Sequence, residues 1–127
     1  MDSCETRNRS RECNMSSIFT KIINKEIPAV IVYEDDHCIS FRDIDPKAPQ
    51  HILIVPKKEI KSLAEVTEED APLLGHLLLK ASEIAKEQGI SDSGYRIVVN
   101  TNKEGGQEVS HLHLHILGGR QMTWPPG

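Results

Sequence analysis

The chain has 127 residues, which is enough for one domain with a single hydrophobic core. Its formal net charge of -4 at pH 7 offers no basic surface to a phosphate backbone, so nucleic acid is not an expected partner. The three cysteines show no paired spacing, and no apolar run approaches the roughly 20 residues of a membrane span. The composition therefore predicts a protein without disulfides or a membrane partner, located in the cytoplasm, with the nucleus as a second compartment.

The composition changes near residue 16. Residues 1–15 combine arginines with small polar residues and have almost nothing to bury, which predicts a disordered tail before one domain at 16–127. Ser16 or Ser17 is expected to cap a short helix, which Pro28 ends. The apolar residues expected on one face of this helix are Ile18, Phe19, Ile22 and Ile23.

Three strands are predicted next. The runs VIVYE (30–34) and CISF (38–41) are β-branched and aromatic, and the turn-prone Asp35 and Asp36 between them indicate a hairpin. The proline-punctuated loop DIDPKAPQ (43–50) leads into HILIVP (51–56), which is expected to be a buried strand.

One long helix follows. Its apolar positions recur at helical spacing: Leu73, Leu74, Leu77, Leu78, Ala81, Ile84 and Ala85. Thr67 or Asp70 can cap its start, and Gly89 stands where a C-terminal cap belongs. With YRIVVN (95–100) and HLHLHIL (111–117) as the last two strands, the pattern predicts an α+β domain built on an antiparallel sheet.

The last predicted strand carries a histidine at every second position. Because side chains alternate across a strand, Leu112, Leu114 and Ile116 should face the core. The three imidazoles, those of His111, His113 and His115, should then share the opposite surface.

Three kinds of chemistry could explain this surface. Metal binding is limited, because the outer histidines of a flat strand are about 13 Å apart while a Zn–N bond is only about 2 Å. A solvated polar face is a poor explanation, because the whole chain has only 6 histidines. Catalysis fits best: a neutral imidazole can attack phosphorus as a nucleophile, and a histidine on either side can orient or protonate it.

Residues before this strand suggest a phosphate ligand. Gly105 and Gly106 permit a backbone that aims successive N–H groups at an anion, although a Gly-Gly pair usually means only a turn. Asn100 can donate an amide hydrogen bond to the same phosphate or can begin a turn. His51 is either a fourth histidine of the site or an ordinary polar strand end.

The motif HLHLHIL matches the pattern of the histidine triad (HIT) family. Residues 16–127 resemble its Hint branch, the histidine triad nucleotide-binding proteins, without a gap. The segments that carry this resemblance are SIFTKIINKEIPA, YEDDHCISFRDIDPKAPQHILIVPKK, GYRIVVN, GGQ and the ending GGRQMTWPPG. The triad motif alone is moderately specific, whereas the triad together with WPPG is highly specific.

The resemblance implies a five-stranded antiparallel sheet with one long helix and a short N-terminal helix, and a homodimer in which the two sheets join. It implies a purine nucleoside phosphoramidase that hydrolyses the P–N bond of adenosine or guanosine 5'-monophosphoramidates, including AMP-lysine. No cofactor and no metal are expected. The alternatives are a non-catalytic nucleotide-binding regulatory protein and a dinucleoside polyphosphate hydrolase, and the WPPG ending argues against the latter.

Residue roles can be carried over by position. His113 resembles the nucleophile that is transiently nucleotidylated, His111 would orient it, and His115 would lie near the phosphate and leaving group. His51 resembles a supporting fourth histidine, and Asp43 resembles the carboxylate that binds the ribose hydroxyls. The resemblance also implies an apolar slot for the base, formed by Phe19, Ile22, Phe41, Ile44 and Leu53. It implies a phosphate loop formed by Asn100, Gly106 and Gln107.

Some of these residues also have simpler explanations. Asp43 could be a turn residue, and Phe19 and Phe41 could be core, since aromatic residues are only 4% of the chain. Trp124 lies in a tail where Pro125 and Pro126 prevent regular strand pairing, so it is either exposed or docked; the resemblance implies that it docks at the dimer interface near the partner's site.

The chain departs from the Hint pattern at two positions. Glu108 stands where relatives often have a serine near the leaving group, which puts the leaving-group preference in doubt. Ser110 replaces a bulky residue before the first histidine, which should alter packing more than chemistry.

Overall fold

The computed structural model describes residues 17–127, so the tail predicted at 1–15 lies outside the described residues. The elements in chain order are α1 (Ile18–Ile23), β1 (Ile31–Glu34), β2 (Cys38–Arg42), β3 (Gln50–Pro56), α2 (Ala71–Glu87), β4 (Tyr95–Val98) and β5 (Leu114–Gly118). The strands form one antiparallel sheet in the order β1-β2-β3-β5-β4, and the predicted α+β fold is confirmed.

Helix α1 begins where the sequence predicted a cap. The Ser17 hydroxyl accepts the N–H of Thr20 at 3.1 Å, which satisfies one of the free donors of the first turn. Phe19 and Ile22 are buried against one face of the sheet, whereas Ile18 is largely exposed. The helix is therefore held by its cap and by its buried apolar face.

The hairpin of β1 and β2 is closed by the carboxylate of Asp35. Its Oδ1 accepts the N–H groups of His37 at 2.7 Å and Cys38 at 2.8 Å, and its own N–H donates to the Cys38 carbonyl. An aspartate that bonds backbone groups two and three residues ahead stabilises a tight turn. The predicted turn at Asp35 is thus confirmed.

Helix α2 covers the other face of the sheet. A turn of 3-10 helix, Glu68–Asp70, precedes it, and the N–H of Thr67 donates to the Asp70 carboxylate at 3.0 Å. Gly89 follows the last turn with a φ of 76°, as the predicted cap requires. The residues that α2 buries are Leu77, Ala81, Ile84 and Ala85.

Leu78 was expected on the buried face of α2, and the structure shows that this was wrong. It is 53% exposed, because it lies just outside the stripe that meets the sheet. Neither α2 nor α1 is long and apolar enough to cross a membrane.

The two faces of β3 belong to different clusters. Ile52 and Ile54 pack under α2, whereas Leu53 and Val55 pack against α1, as alternation along a strand requires. Both clusters share this central strand.

The last strand starts later than predicted, at Leu114 rather than at residue 111. The backbone just before the strand does not pair with a neighbouring strand. The N–H of His111 donates to the Val109 carbonyl oxygen, and the N–H of Leu112 donates to the Ile60 carbonyl oxygen. His111 and His113 therefore precede the strand. Leu114 and Ile116 still face α2, so the predicted separation of leucines from histidines holds there.

Candidate active site

A cleft of about 710 Å³ opens on the α1 side of the sheet. Four of the five residues expected to form the base slot, Phe19, Ile22, Phe41 and Leu53, are buried in its apolar wall. Ile44 also lines the cleft but is 93% exposed, because it lies in the loop after β2, so it does not enclose a slot as expected. Its polar wall contains His51, His113 and His115 together with Asp43, Asn100, Gly106 and Glu108. An apolar slot that ends in a few converging polar groups is typical of a small-molecule site.

The imidazole of His113 has its proton fixed by the backbone. Its Nδ1 lies 2.7 Å from the carbonyl oxygen of His111, and a carbonyl only accepts, so Nδ1 carries the proton. Burial lowers the pKa of His113, which keeps the ring neutral. The neutral ring therefore has an unprotonated Nε2, and the Phe19 ring packs against it edge-on at 4.8 Å between centroids.

His111 is buried behind the cleft and has both ring nitrogens occupied. Its Nε2–H donates to the Pro56 carbonyl at 2.9 Å, so its Nδ1 accepts the Ser17 hydroxyl at 3.1 Å. The ring is thus anchored to the end of β3 and to the cap of α1. These two anchors hold the carbonyl that orients His113.

His51 and His115 form a second hydrogen-bonded pair. The backbone N–H of Lys47 donates to His51 Nδ1 at 3.0 Å, so the proton of a neutral His51 is on Nε2. That Nε2–H points at His115 Nδ1, 2.9 Å away. His115 must then carry its own proton on Nε2, which is buried and without a partner among residues 17–127.

Both members of this pair are kept neutral. Burial lowers the pKa of His51. Burial, together with the neighbouring His113 and His51, lowers the pKa of His115 to about 4. Near neutral pH the cleft therefore presents one imidazole lone pair, on His113, and one unsatisfied N–H donor, on His115.

The HIT domain model matches residues 24–122 of this chain. The chain belongs to the HIT family. It is 52% identical over 113 residues to a 14 kDa zinc-binding protein of Zea mays. The matched region covers 87% of this chain and 88% of the relative.

Solved structures agree with this assignment. A HIT family hydrolase from Legionella pneumophila superposes with a TM-score of 0.87 at 53% identity, over 88% of this chain and 100% of that one. A histidine triad nucleotide-binding protein from Candida albicans gives a TM-score of 0.73 at 30% identity, over 87% and 83%. This HIT protein therefore has the fold of a family that includes hydrolases and nucleotide-binding proteins.

Two residues expected to contact substrate lie outside the cleft lining of this HIT protein. The Gln107 amide donates to the carbonyls of Lys61 and Val109 at 2.7 and 2.9 Å, and its oxygen accepts the N–H of Asn102. Gln107 thus braces its loop. Trp124 is 81% exposed.

The glycine loop differs from the expected N–H cradle. The N–H of Gly106 donates to Lys103 and that of Gln107 donates to Asn102, so both are used inside the loop. Gly105 is needed for a different reason: a Cβ there would lie 2.4 Å from the Thr101 carbonyl oxygen. The glycines therefore tighten the loop beside the cleft.

Sequence reasoning missed Ser17 and Lys47 as parts of the site of this HIT protein. Ser17 was assigned only a capping role, and the backbone of Lys47 sets the tautomer of His51. No sequence pattern marks a backbone N–H as a histidine partner, so this signal is visible only in three dimensions.

Asp43, His51 and His115 are close enough to hold a metal ion, with ligand atoms within 4.8 Å of one another. However, Lys47 occupies His51 Nδ1, and His51 Nε2–H occupies His115 Nδ1. The imidazole lone pairs that an ion would need are therefore already used, and the arrangement favours a hydrogen-bonded chain.

The stability of this HIT protein should depend on pH through His115. Its folded pKa of about 4 lies below its usual 6.5, so between these values the unfolded chain binds more protons than the folded chain. The free energy of unfolding should be highest above pH 6.5 and should fall as the pH falls toward 4. Urea unfolding at a series of pH values will measure this slope. His115→Asn should reduce the slope, and an unchanged slope in that variant would contradict the assignment.

Proposed function

We propose that this HIT protein is a Hint-type purine nucleoside phosphoramidase. The observation that carries the proposal is the fixed tautomer of His113, which places an unprotonated imidazole nitrogen on a residue lining a cleft with an apolar wall. A neutral imidazole is a competent nucleophile toward phosphorus. The substrate class rests on the sequence resemblance, which supplies the purine and the P–N bond.

The reaction would proceed in two displacements. Nε2 of His113 attacks phosphorus, the P–N bond breaks, and the amine leaves with one proton taken up from solvent, which gives a nucleotidyl-histidine. Water then attacks the same phosphorus, its proton is released, and the bond to Nε2 breaks to return the free imidazole and the nucleoside monophosphate. Dividing one difficult step into two easier ones is the benefit of a covalent intermediate.

The N–H of His115 would assist at the phosphate. It is a donor without a partner among the described residues, and a buried donor left unpaired costs about 1–3 kcal/mol. A phosphate oxygen or the departing amine nitrogen would satisfy it. Because the His51 pair already fixes the donor, no reorganisation is needed as charge develops on the phosphate.

The substrate would lie along the cleft with its base between Phe19, Ile22, Phe41 and Leu53, which are apolar and buried around it. Asp43 would accept the ribose hydroxyls. Its Oδ1 already bonds the N–H of Asp45 at 2.8 Å, which holds the carboxylate in place at the rim.

We also propose the homodimer that the resemblance implies. Strand β4 is an edge strand of the described sheet, so its outer N–H and C=O groups are available for pairing. Arg96 of β4 donates to the Thr123 carbonyl at 2.8 Å, which ties the C-terminal segment to that edge. The exposed Trp124 follows directly and would dock on the partner.

Hydrolysis of a fluorogenic adenosine phosphoramidate in the presence of EDTA tests the proposed activity. We expect release of AMP at a rate that EDTA does not change, since the roles assigned above use only side chains of this chain. A diadenosine polyphosphate, assayed in parallel, should be a poorer substrate. AMP binding without hydrolysis would instead favour a nucleotide-binding regulatory protein, and faster cleavage of the polyphosphate would favour the neighbouring hydrolase class.

A further inference from the structure

Helix α1 contributes to two parts of the cleft at once. Its buried residues Phe19 and Ile22 line the apolar wall that would hold the base. The Phe19 ring also packs edge-on against the His113 ring, with 4.8 Å between centroids, and its centroid lies 6.1 Å from that of the His111 ring. The same short helix therefore borders both the proposed base slot and the proposed nucleophile.

The hydroxyl of Ser17, at the start of this helix, makes two different hydrogen bonds. Its oxygen accepts the N–H of Thr20 and so caps the first turn. Its proton has two candidate acceptors, His111 Nδ1 at 3.1 Å and Thr20 Oγ1 at 3.3 Å. Only the bond to His111 satisfies the lone pair of Nδ1, and an unpaired acceptor on a residue that is 2% exposed would be destabilising. Ser17 is therefore a donor to His111 and an acceptor for α1.

From His111 the series of hydrogen bonds continues to the nucleophile. The backbone carbonyl of His111 accepts the Nδ1–H of His113 at 2.7 Å, which orients the ring and leaves Nε2 without a proton. A six-residue helix has little stability of its own, so the position of α1 depends on the contacts that it makes. A movement of α1 would therefore reach His113 through Ser17 and His111.

We propose that Ser17 is a positioning residue that couples filling of the base slot to the orientation of His113. A base in the slot would pack against Phe19 and Ile22 and would thus hold α1 in place. The Ser17 hydroxyl transmits this restraint to His111, whose carbonyl holds the attacking ring. The proposal rests on the proposed phosphoramidase activity and adds that the base serves catalysis as well as binding. Contacts to a part of the substrate that does not react can be used in this way to raise kcat.

Ser17→Gly separates the two roles of the hydroxyl. Glycine begins a helix nearly as well as serine, but it has no donor for His111. We expect kcat for an adenosine phosphoramidate to fall about 10-fold, because a small misplacement of a reacting group slows the reaction even when the substrate still binds. KM should change by less than about 2-fold, because the apolar wall is retained. Ser17→Thr keeps the hydroxyl and should restore kcat to within about 2-fold of the wild-type value.

Two substrates with the same amine measure the coupling: an adenosine phosphoramidate and the matching ribose phosphoramidate, which lacks the base. The rate to measure is single-turnover formation of the covalent histidine adduct at saturating substrate, so that product release does not contribute. In the wild type the adenosine substrate should react about 10-fold faster or more. In Ser17→Gly the two rates should agree within about 2-fold, because the link between base and nucleophile is gone.

Ser62→Gly is the matched control. Ser62 also precedes a short helical turn and accepts a backbone N–H, that of Ala64 at 3.1 Å, but it lies outside the cleft lining and bonds no histidine among residues 17–127. This variant should leave both rates unchanged. Equal rates for the two substrates in the wild type would overturn the proposal without any variant. A rate ratio that persists in Ser17→Gly, or an equal loss of rate in Ser17→Thr, would overturn it as well.

A measurement without turnover separates the coupling from the activity on which it rests. Adenosine can fill the base slot without placing a phosphate at the histidines. In imidazole NMR spectra we expect adenosine to slow exchange of the His113 Nδ1–H with water in the wild type, by about 5-fold or more, but not in Ser17→Gly. Absence of all phosphoramidate cleavage would refute the proposed function, whereas equal protection in the wild type and in Ser17→Gly would refute the coupling.

Discussion

Replacing His113 with alanine should lower kcat/KM for an adenosine phosphoramidate by on the order of 10³-fold or more, as loss of a nucleophile does in other enzymes. The physical reason is specific: Nδ1 of this ring is held by the His111 carbonyl, and its Nε2 is the unprotonated nitrogen. The measurement is steady-state hydrolysis together with a single-turnover assay for nucleotidylated protein, which the variant should no longer form.

The same variant provides its own control. Binding of AMP should change by only a few-fold, because the apolar wall around Phe19, Phe41 and Leu53 remains. Turnover that survives the substitution, or an adduct that forms on another residue, would show that His113 is not the nucleophile. Loss of both binding and turnover would point to a collapsed cleft, which circular dichroism would reveal.

Leu77→Ala should destabilise the fold by about 2–5 kcal/mol, the usual cost of emptying a leucine site in a packed core. Leu77 is 0% exposed and belongs to the core cluster between α2 and the sheet, together with Ile52, Ile54 and Ile116. The measurement is the free energy of unfolding from urea titration. A large stability effect is expected here because Leu77 and Ile84 are the two largest side chains that the helix buries fully.

Leu79→Ala is the matched control, since it makes the same change two residues further along the same helix. Leu79 is 56% exposed, and surface substitutions usually change stability by within about 0.5 kcal/mol. Equal losses for the two variants would mean that α2 is oriented differently from the structure described above.

Much of the fold could be predicted because its signals are local. Helix α1 starts at the Ser17 cap, the hairpin turns at Asp35, and α2 ends before Gly89, each from a short pattern of residues. The start of β5 was wrong because His111 and Leu112 bond to Val109 and Ile60 rather than to a neighbouring strand, and no local pattern encodes such a partner.

Only part of the candidate site could be predicted from the sequence. His113 and His115 line the cleft, and so do Asp43 and the apolar residues that the resemblance added, whereas His111, Gln107 and Trp124 do not line it. The tautomers could not be predicted, since they depend on the backbone of Lys47 and Pro56. The proximity of His76 to Asp35 and Cys38 was missed because helix α2 brings His76 from a distant part of the sequence to the β1–β2 turn.

Strand β3 divides two tasks between its two sides. Ile52 and Ile54 point to the α2 cluster, while His51 and Leu53 point into the cleft. For protein engineering, this means that substitutions at Ile52 and Ile54 should affect mainly the stability of the fold, whereas substitutions at His51 and Leu53 should also change the lining of the cleft. A designer can therefore change ligand selectivity at Leu53 and recover lost stability by substitutions at Ile52 or Ile54, which lie on the opposite face of the same strand.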